Sequence, residues 1–324
     1  MEQRALGGSG VAVTRVVLGC GNFGGIGSEP SLFGQGTSRD EAFRLLDAAW
    51  DLGITTLDTA DAYGGGRSES YIGDWLRTKG SDVRDRVVVV TKTFNPMADG
   101  ADRGLSRGRI RRQVATSLER LGLDGLPLYM AHDFDPDVPQ EETLGAFDEL
   151  VREGTVGAVG ASNFTAEQLA EALELSALEG LTRYEWVQNA FSLLEQDDRQ
   201  TMFALCHEHG LGYAPFGPLA GGWLTGKYRR GEEPPSGSRM TLRPEAGEGY
   251  WTDQTFDALE AFEHEAAGRG VSMAALALAW LLHVSDVTAV VVGPNDVGQL
   301  EPVVDALEVK LDEAEHARIG ALFS

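Results

Sequence analysis

The sequence predicts a parallel α/β fold, and within that class a closed (β/α)8 TIM barrel, with residues 1–324 forming one domain and long loops over its C-terminal face. Three observations carry this expectation. Short apolar runs rich in β-branched residues recur from end to end, eight of them. Amphipathic helical stretches separate them, and each such helix supplies a right-handed crossover that makes the flanking strands parallel. Polar residues gather at the C-terminal ends of the runs, where a barrel keeps its chemistry.

The strands read in order as RVVLG (15–19), TTLDTA (55–60), VVVVTK (87–92), PLYMAH (127–132), VGAVGAS (156–162), EWVQN (185–189), GYAPF (212–216) and AVVVG (289–293). Helix starts are marked by capping boxes: SRDE pairs Ser38 with Glu41, and TAEQ pairs Thr165 with Gln168. SES at 68–70 offers Ser68 as a cap and puts Glu69 in the first turn, where the helix dipole favours a negative charge. Gly154 in REGTVG ends one helix before the next strand. Segments 93–108 and 228–251 exceed simple connections, and both follow strands, so both overhang the C-terminal face. There is no linker, repeat or low-complexity tract.

A doubly wound open sheet is the competing architecture. It would bind a nucleotide at a glycine-rich turn after the first strand, here LGCGNFGGIG, whose Gly19, Gly21 and Gly24 loosely match G-x-G-x-x-G. Asp58 would then be the acidic residue closing the second strand. Eight units, rather than five or six, favour the barrel.

Composition narrows the function. The chain has 27 basic and 50 acidic residues, a net charge of −23, which argues against nucleic acid or an anionic membrane as partner. Its two cysteines, Cys20 and Cys206, lack metal-ligand spacing and form no disulfide framework, so no metal is expected and both read as small buried apolar residues. The stretch MEQRALGGSG has no apolar signal core, and no segment reaches the uncharged apolar length of a membrane span. A cytoplasmic enzyme is the expectation.

Read at the strand ends, the second strand gives Asp58, the third Lys92 and the fourth His132. The fifth gives Ser162 and Asn163, the sixth Gln188 and Asn189, the seventh Phe216, and the eighth Gly293. Any one of these has an ordinary explanation: a turn cap, a rim lysine, a satisfied core histidine. Three ionisable groups in one barrel mouth are costly to bury without a use. A lysine beside a tyrosine favours the phenolate, and a carboxylate holds that lysine charged and oriented. Tyr63, five residues past Asp58 in LDTADAYGGGRSE, is placed to be that tyrosine and to exchange a proton with a developing alkoxide. Asp61, beyond the strand end, reads as structural.

Together the motifs LDTADAYGGGRSE, VVTK, YMAHDFDPDVP, VGASNF, WVQN, PLAGGWLTGKY and VVGPNDVGQLE resemble those of the aldo-keto reductase family, in order along nearly the whole chain. The resemblance implies a barrel that binds an extended nicotinamide dinucleotide and acts on a small carbonyl or alcohol substrate. It implies Tyr63 as general acid/base, tuned by Lys92 and Asp58, and His132 as the residue that orients the substrate carbonyl. Ser162, Asn163 and Gln188 match the carboxamide-binding residues. Phe216 matches the ring-stacking aromatic, where tyrosine or tryptophan is more usual. Gly21 and Asn22 also fall at the cofactor site, and Pro218, Leu219, Ala220 and Lys227 at the pyrophosphate turn. Arg239 matches an arginine of a closing strap. The last strand's motif, with Gly293, Asn295, Asp296 and Gln299, departs from the family: Asn295 and Asp296 stand where a small and then a basic residue are common. Pro302 and Val303 replace a usual acidic–asparagine pair. An aspartate would repel a 2′-phosphate or bond a free ribose hydroxyl. The family's habit keeps NADPH first, with NADH the contender.

Two other functions fit part of this pattern. A Schiff-base barrel enzyme would use Lys92 as an unpaired, desolvated nucleophile. A non-catalytic nicotinamide-sensing module resembling channel β subunits would need no acid/base group, and His132 speaks for an enzyme. Phe23, Phe33, Phe94, Met97 and Trp251, on the loops at 20–37, 93–108 and 228–251, suggest a partly apolar substrate pocket, although each can equally pack under its own loop.

Overall fold

The computed structural model describes residues 1–98, 100 and 102–323, so Asp99 and Ala101 of the 93–108 segment lie outside the described residues. A short antiparallel hairpin, β1 (Gln3–Ala5) with β2 (Ala12–Thr14), opens the chain. The eight expected strands follow: β3 (Val16–Gly19), β4 (Thr56–Asp58), β5 (Val88–Thr93), β6 (Leu126–Ala131), β7 (Val156–Ser162), β8 (Tyr184–Gln188), β9 (Gly212–Tyr213) and β10 (Val290–Val292). They form one parallel sheet in the order β10-β3-β4-β5-β6-β7-β8-β9. The ring closes where Thr288 N–H donates to the Tyr213 carbonyl at 2.7 Å and Val291 N–H to the Pro215 carbonyl at 2.9 Å. The fold is the (β/α)8 barrel. Its seventh strand is shorter than the sequence suggested because Pro215, which faces β10, has no N–H to add to that ladder.

Both capping boxes form. Ser38 and Glu41 cap the helix Arg39–Asp51, and Thr165 and Gln168 cap the helix Ala166–Glu179. Ser68 is not a cap. The helix Arg67–Thr78 begins after Gly66, at φ 89°, and the Ser68 hydroxyl lies inside the first turn, donating to the Cys20 carbonyl at 2.9 Å. Cys20 and Cys206 are free and buried, as the sequence suggested. The hairpin has no counterpart in the expected element order. Its Leu6 and Val13 pack with Val17, Val90, Leu128, Met130, Trp186 and Val291, closing the N-terminal end of the barrel.

Side chains alternate across each strand, and that alternation decides what reaches the mouth. Val89, Tyr129, Val159 and Val187 pack outward under the helices. Val90, Leu128, Met130, Ala158, Trp186 and Ala214 fill the interior. Continuing the inward set by two residues reaches Lys92, His132, Gln188 and Phe216 in turn. Trp186 lies across the interior because Gly160 opposite has no side chain: a Cβ there would stand 2.1 Å from the indole nitrogen.

The glycine-rich segment after β3 packs on the turn that carries Tyr63. Gly64 N–H donates to the Gly27 carbonyl at 3.1 Å, and a Cβ on Gly25 would lie 2.6 Å from Gly64 Cα. Gly25 and Gly64 serve a close approach of two backbones, and the closed eight-stranded ring leaves no doubly wound sheet for LGCGNFGGIG to serve as its nucleotide loop. Phe23, expected to shape a pocket, is fully buried instead, and Phe33 packs its ring on Gly65. Gly25→Ala is therefore expected to cost about 1–3 kcal/mol by overpacking, read as a lowered Tm. Gly108→Ala meets open space and should leave Tm unchanged or slightly higher.

Candidate active site

Four side chains converge at the barrel mouth. The Lys92 ammonium, with no solvent exposure, donates to Asp58 Oδ1 at 2.7 Å and to the Thr59 carbonyl at 2.9 Å. The same nitrogen lies 3.5 Å from the Tyr63 hydroxyl, which in turn lies 3.4 Å from His132 Nε2. The Tyr63 and His132 rings meet edge-on, with centroids 5.3 Å apart. Asp58, Tyr63, Lys92 and His132 are thus one connected group.

Neighbouring strand ends lock this group in place. Gln188 Nε2 donates to the second oxygen of Asp58 at 2.9 Å, so that carboxylate is held from both sides. Ser162 Oγ donates to the Gln188 carbonyl at 2.7 Å, and Asn163 Nδ2 to the His132 carbonyl at 2.8 Å. Asn163 has φ 60°, a left-handed conformation that asparagine tolerates better than most residues. Asn189 faces away from the mouth and holds the Phe164 carbonyl and Asp198.

Burial and charge set the protonation states. Burial alone would lower the Lys92 ammonium's pKa, but Asp58 beside it more than offsets this and holds it above the ordinary lysine range. Burial, aided by the Lys92 charge, pushes His132 well below the usual histidine value, so its imidazole is neutral. The Tyr63 phenol departs from the sequence reading. Burial raises its pKa, and Lys92 draws it down by less, so the net shift in this structure is upward.

A second polar group, which the sequence did not reveal, lies on the outer face of β5. Thr91 donates to the fully buried Glu69 at 2.6 Å, and Thr93 to the fully buried Asp61 at 2.7 Å. Arg120 pairs with Glu69 at 3.0 Å, and buried Arg109 stands 3.7 Å from Asp61. Burial, reinforced by the Glu69 charge, raises the Asp61 carboxyl to about 7.

Comparison with known proteins places the chain. Residues 15–323 match the family model described as the aldo/keto reductase family. The chain belongs to the aldo/keto reductase family. It is 35% identical to the uncharacterized oxidoreductase YrpG of Bacillus subtilis (strain 168), over 97% of this chain and 93% of that one. It is 32% identical to a putative aryl-alcohol dehydrogenase of Schizosaccharomyces pombe, over 96% and 92% of the two chains. It is 30% identical to versiconal hemiacetal acetate reductase of Aspergillus parasiticus, over 97% and 95%. The chain is an oxidoreductase of a family that generally uses NAD(P)H.

The other residues expected at the site are placed as follows. Phe216 is half-buried above the barrel interior, and the Gly21 backbone lies against the Tyr63 ring. The turn after β9 runs through positive φ at Gly217, Ala220, Gly221 and Gly222, with Pro218 buried and Gly221 against the side chain of Arg239, the first residue of the short helix Arg239–Leu242. Gly222 has no Cβ where the end of the Lys227 side chain passes. The largely buried Arg239 guanidinium makes no hydrogen bond or ion pair with any described residue, and burial lowers its pKa. The adjacent Ser238 hydroxyl is buried without a partner. An unpaired cation and an orphaned hydroxyl beside a left-handed glycine turn fit a diphosphate. In the last motif, Asp296 caps the turn Val297–Leu300, and Gln299 accepts the Asn295 N–H at 2.9 Å. Val303 is buried in the core. Trp251 stacks edge-on against Trp223 and Phe256, Phe94 is buried, and Met97 is half-buried.

The Asp61 carboxyl has a signature in stability. Its folded-state pKa, about 7, lies above the ordinary 3.8, so the folded protein retains a proton that the unfolded chain releases between those values. Its contribution to stability is therefore full at low pH and is lost as pH rises through 7. Asp61→Asn removes this dependence. Denaturation of both proteins from pH 5 to 8 should show the wild type losing stability relative to the variant, by an amount on the order of a few kcal/mol.

Proposed function

We propose that this chain catalyses reversible hydride transfer between NAD(P)H and the carbonyl of an aldehyde, ketone or sugar, with Tyr63 as general acid/base. The observation that carries the reading is the placement of one buried ammonium, Lys92 Nζ, between the Asp58 carboxylate and the Tyr63 hydroxyl, with His132 on the hydroxyl's other side. The names of the aryl-alcohol dehydrogenase and the hemiacetal acetate reductase among its relatives support a carbonyl–alcohol interconversion.

When bound, the dinucleotide supplies the hydride. Tyr63 protonates the substrate oxygen in reduction and takes the proton back in oxidation. Lys92 remains charged and stabilises the phenolate formed when Tyr63 gives up its proton. Asp58, fixed by Gln188, keeps the ammonium aimed at the hydroxyl. His132 stays neutral and orients the carbonyl oxygen, a preorganised donor at the developing alkoxide. Ser162, Asn163 and Gln188 would hold the carboxamide, and Phe216 would stack on the nicotinamide. Lys227, Arg239 and Leu219–Ala220 would follow the diphosphate. Gly293, Asn295, Asp296 and Gln299 would lie along the adenosine.

NADPH is our first assignment, on the family's habit. Asp296 makes NADH its competitor, since the motif offers a carboxylate rather than a cation to a 2′-phosphate. The pairing of Lys92 with Asp58 speaks against Schiff-base chemistry, which needs a free amine. Tyr63→Phe is expected to bind the dinucleotide with unchanged affinity by fluorescence titration. Its turnover on a panel of carbonyls and alcohols, run with both dinucleotides, should fall by about 10²–10⁴-fold. Full activity in this variant contradicts the assignment.

A further inference from the structure

Asn95 stands just beyond the end of β5, three residues past Lys92. Its side-chain Nδ2 lies 3.3 Å from His132 Nδ1, while the other ring nitrogen, Nε2, faces the Tyr63 hydroxyl at 3.4 Å. An amide NH2 donates and does not accept, so the ring nitrogen it faces must be the one without a proton. His132 is neutral and carries a single N–H. That proton then sits on Nε2 and points toward the Tyr63 hydroxyl, at the place where a substrate oxygen would arrive.

The surroundings hold both partners of this contact. Arg109 Nη2 donates to the Asn95 carbonyl at 2.6 Å. Arg109 Nη1 donates to Thr93 Oγ1 at 2.6 Å and to the Gly104 carbonyl at 3.1 Å. The Arg109 side chain is 1% exposed and faces Asp61, so it is a rigid mount rather than a surface charge. On the other side, His132 N–H donates to the Thr93 carbonyl at 3.0 Å, and Asn163 holds the His132 carbonyl. The backbone contacts fix where the imidazole sits. Among the described residues, Asn95 is the group on Nδ1, so it sets which nitrogen carries the proton.

We propose that Asn95 is a positioning residue that selects the Nε2–H tautomer of His132. In that tautomer the imidazole offers a hydrogen bond to the carbonyl oxygen. In the other it would present a lone pair to an oxygen gaining negative charge. The consequence for turnover rests on the proposed role of His132, but the tautomer itself does not.

The test reads the tautomer directly. The chain has six histidines, so the His132 imidazole is assigned in 15N-labelled protein by comparison with His132→Gln. In the wild type without dinucleotide, we expect a bare Nδ1 and a protonated Nε2. Asn95→Asp places a carboxylate acceptor at the same position with little change in shape, and should move a proton onto Nδ1. Asn95→Leu removes the donor and should leave a mixture. Asn95→Asp should lose about 100-fold in kcat for carbonyl reduction and Asn95→Leu a much smaller factor, in proportion to the Nε2–H tautomer it loses, with the KM for dinucleotide unchanged in both. A wild-type Nδ1–H, or a tautomer unmoved by Asn95→Asp, overturns the proposal, as does lost turnover with the tautomer unchanged. The expected tautomers in a chain that reduces no carbonyl would uphold the role of Asn95 and overturn the functional reading instead.

Discussion

A lysine ammonium buried without solvent contact is the constraint around which the mouth of this barrel is arranged. Removing such an ion from water costs several kcal/mol unless a partner and further hydrogen bonds replace its hydration. Lys92 obtains these from Asp58 and from the Thr59 carbonyl, and the carboxylate is completed from its other side by Gln188. Three strands, β4, β5 and β8, must therefore end at the same height with the same inward parity. A buried ion pair is weak grounds for stability. It holds a fixed positive charge 3.5 Å from the Tyr63 phenol, which in the proposed reaction gains and loses a proton.

The strand that delivers Lys92 inward also anchors the turn that carries Tyr63. Thr91 and Thr93 flank the lysine and point outward, where they bond Glu69 and Asp61. Those two carboxylates belong to the turn and helix on either side of Tyr63. The tyrosine is thus tied to the strand that carries Lys92, and the loop from β3 packs over it through Gly25 and Gly64. Arg109 extends the same frame to Asn95 and, through it, to His132. Polar bonding outside the barrel wall sets the geometry of the polar group inside it.

What could be read in advance follows from this layout. Alternation and strand-end position identify Asp58, Lys92, His132 and Gln188 because both are properties of a single strand and survive in one dimension. Capping boxes at Ser38 and Thr165 are local for the same reason. The hairpin is not legible: its strands are three residues each, and only closure of the barrel gives Leu6 and Val13 an interior to fill. Arg109 looks like another surface charge in the basic stretch RGRIRRQ, and Glu69 like a helix-dipole residue. Their burial comes from helices packing on β5. Asn95 carries no motif, and its meaning depends on a contact with His132, far along the chain. The upward shift of Tyr63 is not legible either, because the sequence shows the neighbouring lysine and conceals the depth of burial.

In the proposed reaction the Lys92 charge governs proton transfer at Tyr63. The most direct measurement is the pH dependence of kcat for alcohol oxidation in wild type and Lys92→Met, with folding of the variant verified by circular dichroism. Oxidation needs the basic form of Tyr63, and loss of the neighbouring cation raises the phenol's pKa. The rising limb of the profile should move to higher pH in the variant, and the rate at neutral pH should fall with it. An unchanged profile in a folded, dinucleotide-binding Lys92→Met protein would contradict this role of the Lys92 charge.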